Sequence, residues 1–210
     1  MRTLIEARLA EKVSVVDPRA ELLEEVQGSV PRKLRDMLAR PARPAAVLLG
    51  IVERTSGLNI LFTERSADLK DHPGQVSFPG GCIEAKDPSA VVAALREAEE
   101  EIGLKPEQVN VIGCLGPYLT VTGFLITPVV GFVSNRFRAM PVPAEVSEVF
   151  EVPLDFFLEE KRLKVKYCTR PDFGTTFRIY EFSFEEHRIW GATAAILLRL
   201  IGLISNEKTT

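Results

Sequence analysis

Residues Phe78 to Gly81 read FPGG, and a helix-forming run from Asp87 to Leu104 follows almost at once. No other feature constrains the chain as tightly. Adjacent glycines let a backbone approach neighbours that a side chain would hold away. Asp87 fits a helix N-cap, Pro88 the first helical position and Gly103 the C-terminal stop. On a helical wheel Val91, Leu95, Ala98 and Ile102 form one apolar stripe that faces a core. Glu97, Glu100 and Glu101 share another arc, at i, i+3, i+4 spacing, and Glu99 falls beyond the stripe. Like charges so placed cost a helix about 0.2–0.5 kcal/mol per pair. A divalent cation relieves the crowding, because Mg2+ takes hard oxygen ligands and is commonly shared between carboxylates and substrate phosphates. A solvated acidic face is the competing reading of the same residues.

Around this unit the chain alternates strand and helix signals. Ala45–Glu53 and Asn59–Glu64 are aliphatic runs flanking Ser56-Gly57, a hairpin pattern. Asp68–Gly81 is a loop with tight turns. Val109–Leu115, Leu125–Val133 and Thr176–Phe184 read as strands; Asp155–Glu160 and Ile189–Ile204 read as helices. Ala20–Arg40 reads as helical, broken by Pro31. Strands on both sides of one central helix, with a closing helix, predict an α/β/α sandwich with a mixed sheet. The expected organisation is an N-terminal helical extension, 1–40, packed on one domain, 41–205.

Bulk properties narrow the function classes. The 210 residues, 46% hydrophobic, suffice for one elaborated domain with a real core. A formal net charge of -3 argues against a nucleic-acid partner but leaves room for a local basic patch. Cys82, Cys114 and Cys168 are too scattered for a disulfide framework or a zinc site. Neither His72 nor His187 has a second His or Cys at ligand spacing, so neither is expected to bind metal. Ala192–Ile204 is apolar, but it is short for a span and holds Arg199, so no membrane partner is expected. Met1–Val16 lacks a continuous apolar segment and Glu207–Thr210 forms no address signal, so a cytoplasmic location is the expectation.

Arg96 to Leu104, REAEEEIGL, behind FPGG resembles the signature of the Nudix hydrolases. Arg96, Glu97, Ala98, Glu100, Glu101, Gly103 and Leu104 match that half of the motif position by position. The loop departs from it. Pro88 stands at the usual loop-glutamate position, the loop from Gly81 is one residue longer, and Asp87 or Glu84 is the candidate replacement. The resemblance implies a Nudix-type fold, Mg2+ (or Mn2+) held by Glu97, Glu100 and Glu101, and Arg96 as the residue that orients those carboxylates or the loop. It also implies a further acidic residue later in the chain, as metal ligand or general base. Glu145 and Glu148, on the segment Pro141–Leu154, are the candidates, with Glu145 preferred.

Leu61–Gly81, LFTERSADLKDHPGQVSFPGG, is similar to the segment preceding the motif in the coenzyme A pyrophosphatase branch of that family. Thr63, Arg65, Ser66, Gly74, Phe78, Pro79, Gly80 and Gly81 match, Lys70 stands where arginine is usual, and RIWGAT at Arg188–Thr193 also resembles the branch. This implies a small nucleotide substrate contacted by Arg65, Ser66, Lys70, Gly80 and Gly81. The implied activity is hydrolysis of the phosphoanhydride of coenzyme A or its thioesters. ADP-ribose, a dinucleotide, or an inactive nucleotide-binding module are the alternatives. Trp190 is expected to pack under the last helix.

Overall fold

A computed structural model describes residues 1–11 and 16–205 of the chain. Residues 12–15, within the N-terminal stretch read above, and 206–210, which include Glu207–Thr210, lie outside the described residues.

The elements begin with α1 (Arg2–Ala10), α2 (Pro18–Glu24), β1 (Val26–Gln27) and α3 (Arg32–Leu38). The hairpin follows, β2 (Arg43–Arg54) and β3 (Gly57–Arg65), then β4 (Val76–Ser77), β5 (Gly80–Cys82) and the helix α4 (Ala90–Ile102). Next come β6 (Val109–Cys114), β7 (Tyr118–Leu119), β8 (Phe124–Val133) and β9 (Val146–Pro153). The chain then runs through α5 (Leu154–Leu158), β10 (Lys164–Arg170), β11 (Thr175–Phe184), β12 (His187–Trp190) and α6 (Ala192–Ser205).

The described residues form a large mixed sheet and a smaller antiparallel one. The large sheet runs β4-β3-β2-β8-β6, with β5 and β7 on short segments of β2 and β8, and β9 beside β3. β2 and β8 are parallel and pair from Arg43–Phe124 to Val52–Val133. The small sheet sets β11 between β10 and the pair β1 and β12. The expected mixed sheet between helical layers is present.

β2 and β8 are aliphatic on both faces because both faces are covered. Toward α4, Ala46, Leu48 and Val129 meet Ala93, Ala94, Ala98 and Ile102. Toward α6, Leu49, Ile51 and Val130 join an aromatic cluster that includes Phe62, Phe78, Phe157 and Phe182. Ile5 of α1 is buried in this second cluster, and Leu22 and Leu34 are buried with Leu119 and Phe177. Arg199, the one charge in the apolar α6, donates to the carbonyls of Gly116 and Pro117 at 2.5 and 3.0 Å and pairs with Glu21.

Several expectations need correction. The central helix starts at Ala90, with Ser89 as N-cap accepting from the Val92 N–H at 3.3 Å. Asp87 does not cap it, because its carboxylate is taken up by Arg96 and by the Glu84 N–H. Gly103 ends the helix as expected, at φ +69°. The buried stripe is centred on Ala94, Ala98 and Ile102, with Val91 and Leu95 at its partly buried margin. Ala20–Arg40 holds a strand, β1, between its two helices. Ile189 and Trp190 belong to β12 rather than the last helix, and the Arg188 guanidinium lies 4.5 Å over the Trp190 ring. Most of the segment Pro141–Leu154, to which the sequence assigned no element, is strand β9 (Val146–Pro153), paired with β3.

Candidate active site

The backbone approach that FPGG permits is used at both glycines. β5 pairs with β2, placing Gly80 beside Val47 and Gly81 beside Ala46. A Cβ on Gly80 would collide with the Ala46 carbonyl and lie 2.6 Å from Val47 Cα. A Cβ on Gly81 would lie 2.5 Å from the Glu97 carboxylate carbon. α4 packs on this region through alanines, so its carboxylates reach the loop. The Gly80 N–H donates to Glu101 Oε2 at 3.2 Å.

The glutamates of α4 occupy different environments. Glu101 is 6% exposed, and burial pushes its carboxyl up to about 8, against the Gly80 hydrogen bond and the nearby Arg65 charge. Glu97 is half-buried and also raised, by desolvation first, with the Arg96 hydrogen bond opposing. Glu100 lies at the rim, 2.7 Å from Arg96 Nη1. Glu99 is exposed and away from the group. Glu99 makes none of the Arg96 or Gly80 contacts that Glu97, Glu100 and Glu101 make.

Arg96 binds inward among acids rather than outward to solvent. Its Nε and Nη2 take both Asp87 oxygens at 3.1 and 3.0 Å, and Nη2 lies 2.9 Å from Glu97. Nη2 also donates to the Cys82 carbonyl at 3.3 Å. The fork holds the Asp87 carboxyl below its ordinary range, with the Glu84 N–H assisting. Of the two candidate replacements for the absent loop glutamate, Asp87 is the one that takes the Arg96 fork. Glu84 stands further off, at 3.9 Å, and pairs with Lys86 at 3.2 Å.

The segment 140–146 closes the other side. The Val142 N–H donates to the Glu101 carbonyl, and the Ser66 N–H donates to the Glu145 carbonyl at 2.8 Å. The exposed Glu145 side chain bears electrostatically on both Glu97 and Glu101. Glu148 points elsewhere: it pairs with Glu64 across β3 and β9 and lies 3.9 Å from His187. Arg65 also belongs to the group around Glu101, and its Nε is buried with no acceptor. Ser66 is buried and contributes backbone to the Glu145 contact, whereas Lys70 lies exposed on the loop beyond. The donor set at α4 is entirely carboxylate oxygen, the chemistry that a hard divalent cation takes. Among the described residues, however, the three carboxylates are not gathered within 4.8 Å of one another, and Glu97 and Glu100 both sit on Arg96. A cleft of about 460 Å³ lined by Arg19, Arg40, Arg43 and apolar residues carries none of these carboxylates.

The NUDIX domain family matches residues 41–170, more than half of the chain. The chain belongs to the Nudix hydrolases. A protein named "Uncharacterized Nudix hydrolase NudL" from Enterobacter sp. is 39% identical over 180 residues, covering 86% of this chain and 91% of its own length. Its namesake in Escherichia coli K12 is 43% identical over 158 residues, covering 75% and 81%. A third, from Pectobacterium atrosepticum, is 39% identical over 187 residues, covering 89% and 95%. Nudix hydrolases act on nucleoside diphosphate derivatives and generally use divalent metal ions, so the coarse expectation of a metal-dependent Nudix hydrolase holds. No helix among the described residues is long and apolar enough to cross a membrane.

Proposed function

We propose that the protein is a Mg2+- or Mn2+-dependent diphosphatase acting in the cytoplasm on coenzyme A or its thioesters. Water cleaves the phosphoanhydride, giving 3′-phosphoadenosine 5′-phosphate and 4′-phosphopantetheine or its acyl form. The hydrolase unit is residues 41–205, with 1–40 packed against it. The observation that carries this reading is Arg65. The segment resembling the coenzyme A branch folds so that this guanidinium stands by Glu101 with a buried Nε that no protein atom accepts. A phosphate oxygen of the substrate supplies the missing acceptor.

Glu97, Glu100 and Glu101 are the residues that would hold the cation. Bound there, it neutralises phosphate charge and lowers the pKa of a coordinated water. Phosphoryl transfer otherwise asks mainly for positioning. Arg96 and Asp87 fix the first turns of α4 against the loop, so the carboxylates keep their aim. Gly80 and Gly81, pressed against β2 and Glu97, bring the loop backbone up to the α4 carboxylates, beside which the pyrophosphate would lie. Glu145, anchored by Ser66 and α4, receives the proton of the attacking water or adds a ligand. Lys70, exposed and further along the same loop, is assigned to the 3′-phosphate.

Coenzyme A and 3′-dephospho-coenzyme A, compared by kcat/KM across the wild type, Arg65→Ala and Lys70→Ala, test this. Lys70→Ala should lose the preference between the two substrates. Arg65→Ala should lose rate on both, by about 1.5–3 kcal/mol of phosphate contact. A wild type that favours ADP-ribose or a dinucleotide by a wide margin removes the coenzyme A assignment and leaves the Nudix chemistry standing.

A further inference from the structure

The face of the large sheet turned away from α4 carries a second group of metal-ligating side chains. Glu64 of β3 and Glu148 of β9 stand directly opposite one another in the antiparallel register. His187, the first residue of β12, closes over them. Its Nδ1 lies 3.2 Å from Glu64 Oε2 and its Nε2 lies 3.9 Å from Glu148 Oε1. One ligand atom from each residue falls within 4.8 Å of the others. Like charges directly opposite on paired strands destabilise a sheet. Among the described residues, the ion pairs these two carboxylates make are with His187 alone.

The imidazole is 4% exposed and stacked on Phe150, at 3.7 Å between centroids and 9° between planes. It is therefore held in place before anything binds. Glu148 is 50% exposed and free to swing. Two carboxylates around an imidazole form a donor set of a different kind from the all-oxygen group on α4. Imidazole suits Zn2+ and its transition-metal neighbours, whereas Mg2+ prefers oxygen alone.

We propose that His187, Glu64 and Glu148 form a second cation site, selective for Zn2+-class ions, with water completing the coordination. Zinc takes nitrogen and carboxylate oxygen at about 2.0–2.2 Å. An imidazole gives one nitrogen to one ion, and Glu64 and Glu148 now face different nitrogens of His187, so binding requires the half-exposed Glu148 to swing round to the Nδ1 side, where Glu64 already stands. The site has structural leverage. The Ser147 hydroxyl donates to the Glu64 carbonyl at 3.1 Å, and the adjacent Ser66 holds Glu145. A cation here clamps β3 to β9 where the Glu145 segment leaves the sheet. Sequence spacing gave no hint of it, because the ligands come from three strands far apart in the chain.

Calorimetric titration of the full chain with ZnCl2 tests the proposal, using a Glu97→Gln/Glu101→Gln background so that α4 cannot compete. Cobalt(II) absorption serves as a second, spectroscopic readout. One equivalent of Zn2+ should bind, with a rise in melting temperature. Adding Glu148→Gln should weaken binding by at least about 10-fold, and adding His187→Gln should abolish it. If the His187 variant fails to fold, Glu148→Gln decides, because its side chain is half exposed. Absence of binding in the double variant overturns the site, since any wild-type zinc then belongs to α4. One equivalent bound equally well after both Glu148→Gln and His187→Gln overturns it too.

Discussion

The two faces of the large sheet are packed on different principles. Toward α4 the helix offers small side chains, Ala93, Ala94 and Ala98, to Ala46, Leu48 and Val129 of the sheet. Toward α6 they are bulky: Phe62 stacks on Phe78 at 5.2 Å, and Phe157 sets its edge against Phe182 at 5.1 Å. Small residues bring a helix close to a sheet, and closeness is what lets Glu97 and Glu101 reach the glycine loop. Aromatic packing instead buries area, the main source of stability. The face that carries the α4 glutamates gives up packing volume at the helix, and the opposite face supplies it.

The largest expected effect tests the aromatic side. Phe182→Ala should cost about 3–5 kcal/mol of stability, read by urea unfolding. Turnover per folded molecule should hardly change. An equal loss of turnover would mean that the two faces are not separable.

The mirror experiment is Glu101→Gln. Turnover should fall on the order of 10²- to 10³-fold, the scale for one group that stabilises transition-state charge. Stability without metal should not fall, since a neutral amide replaces a buried carboxyl. Glu99→Gln should do neither. Comparable damage from Glu99→Gln would show that the arc on α4 does not define the site.

Next come the glycines. Gly80→Ala meets backbone at Ala46 and Val47, with φ at +155°, and should lower stability by about 1–3 kcal/mol. Gly81→Ala meets the movable end of Glu97 and should instead depress kcat with little loss of stability. Melting curves beside kcat for both variants separate the two outcomes.

The smallest effect is a pH slope. Metal-free protein carries a proton on Glu101 that the unfolded chain releases near 4.5, because burial pushes the folded value up to about 8. This contribution is complete below pH 4.5 and is lost as the pH rises through 8. The melting temperature should decline across that window, by about 2–4 °C for each kcal/mol lost. Glu101→Gln should flatten the decline, and added Mg2+ should oppose it. A slope unchanged by Glu101→Gln would assign the proton elsewhere.

The central helix, the hairpin and the long strands were legible because their signals are local: periodicity, caps and a Ser-Gly turn. The wheel alone isolated Glu99 from Glu97 and Glu101. β9 was hidden because Glu148 and Glu151 interrupt its aliphatic pattern, and β10 because it is mostly exposed. The N-cap was misplaced at Asp87 because a long-range partner, Arg96, competes for that carboxylate. The grouping of Glu64 and Glu148 with His187 depends on strand register and on one sheet lying over another. No spacing rule along the chain encodes either.

The parallel pairing of β2 with β8 has a consequence for how the chain comes to be folded. Between these strands the polypeptide makes its hairpin, its glycine loop and the whole of α4. A nascent chain therefore finishes α4 before the strand that flanks its sheet exists. Until Val133 has emerged, the aliphatic run of β2 has an open edge that can be met by another chain. Non-local closure of this kind slows folding, and partly made chains with exposed strand edges are prone to aggregate. Synthesis that pauses between Gly103 and Phe124 would prolong that exposure, so the yield of soluble protein should depend on how quickly this stretch is translated.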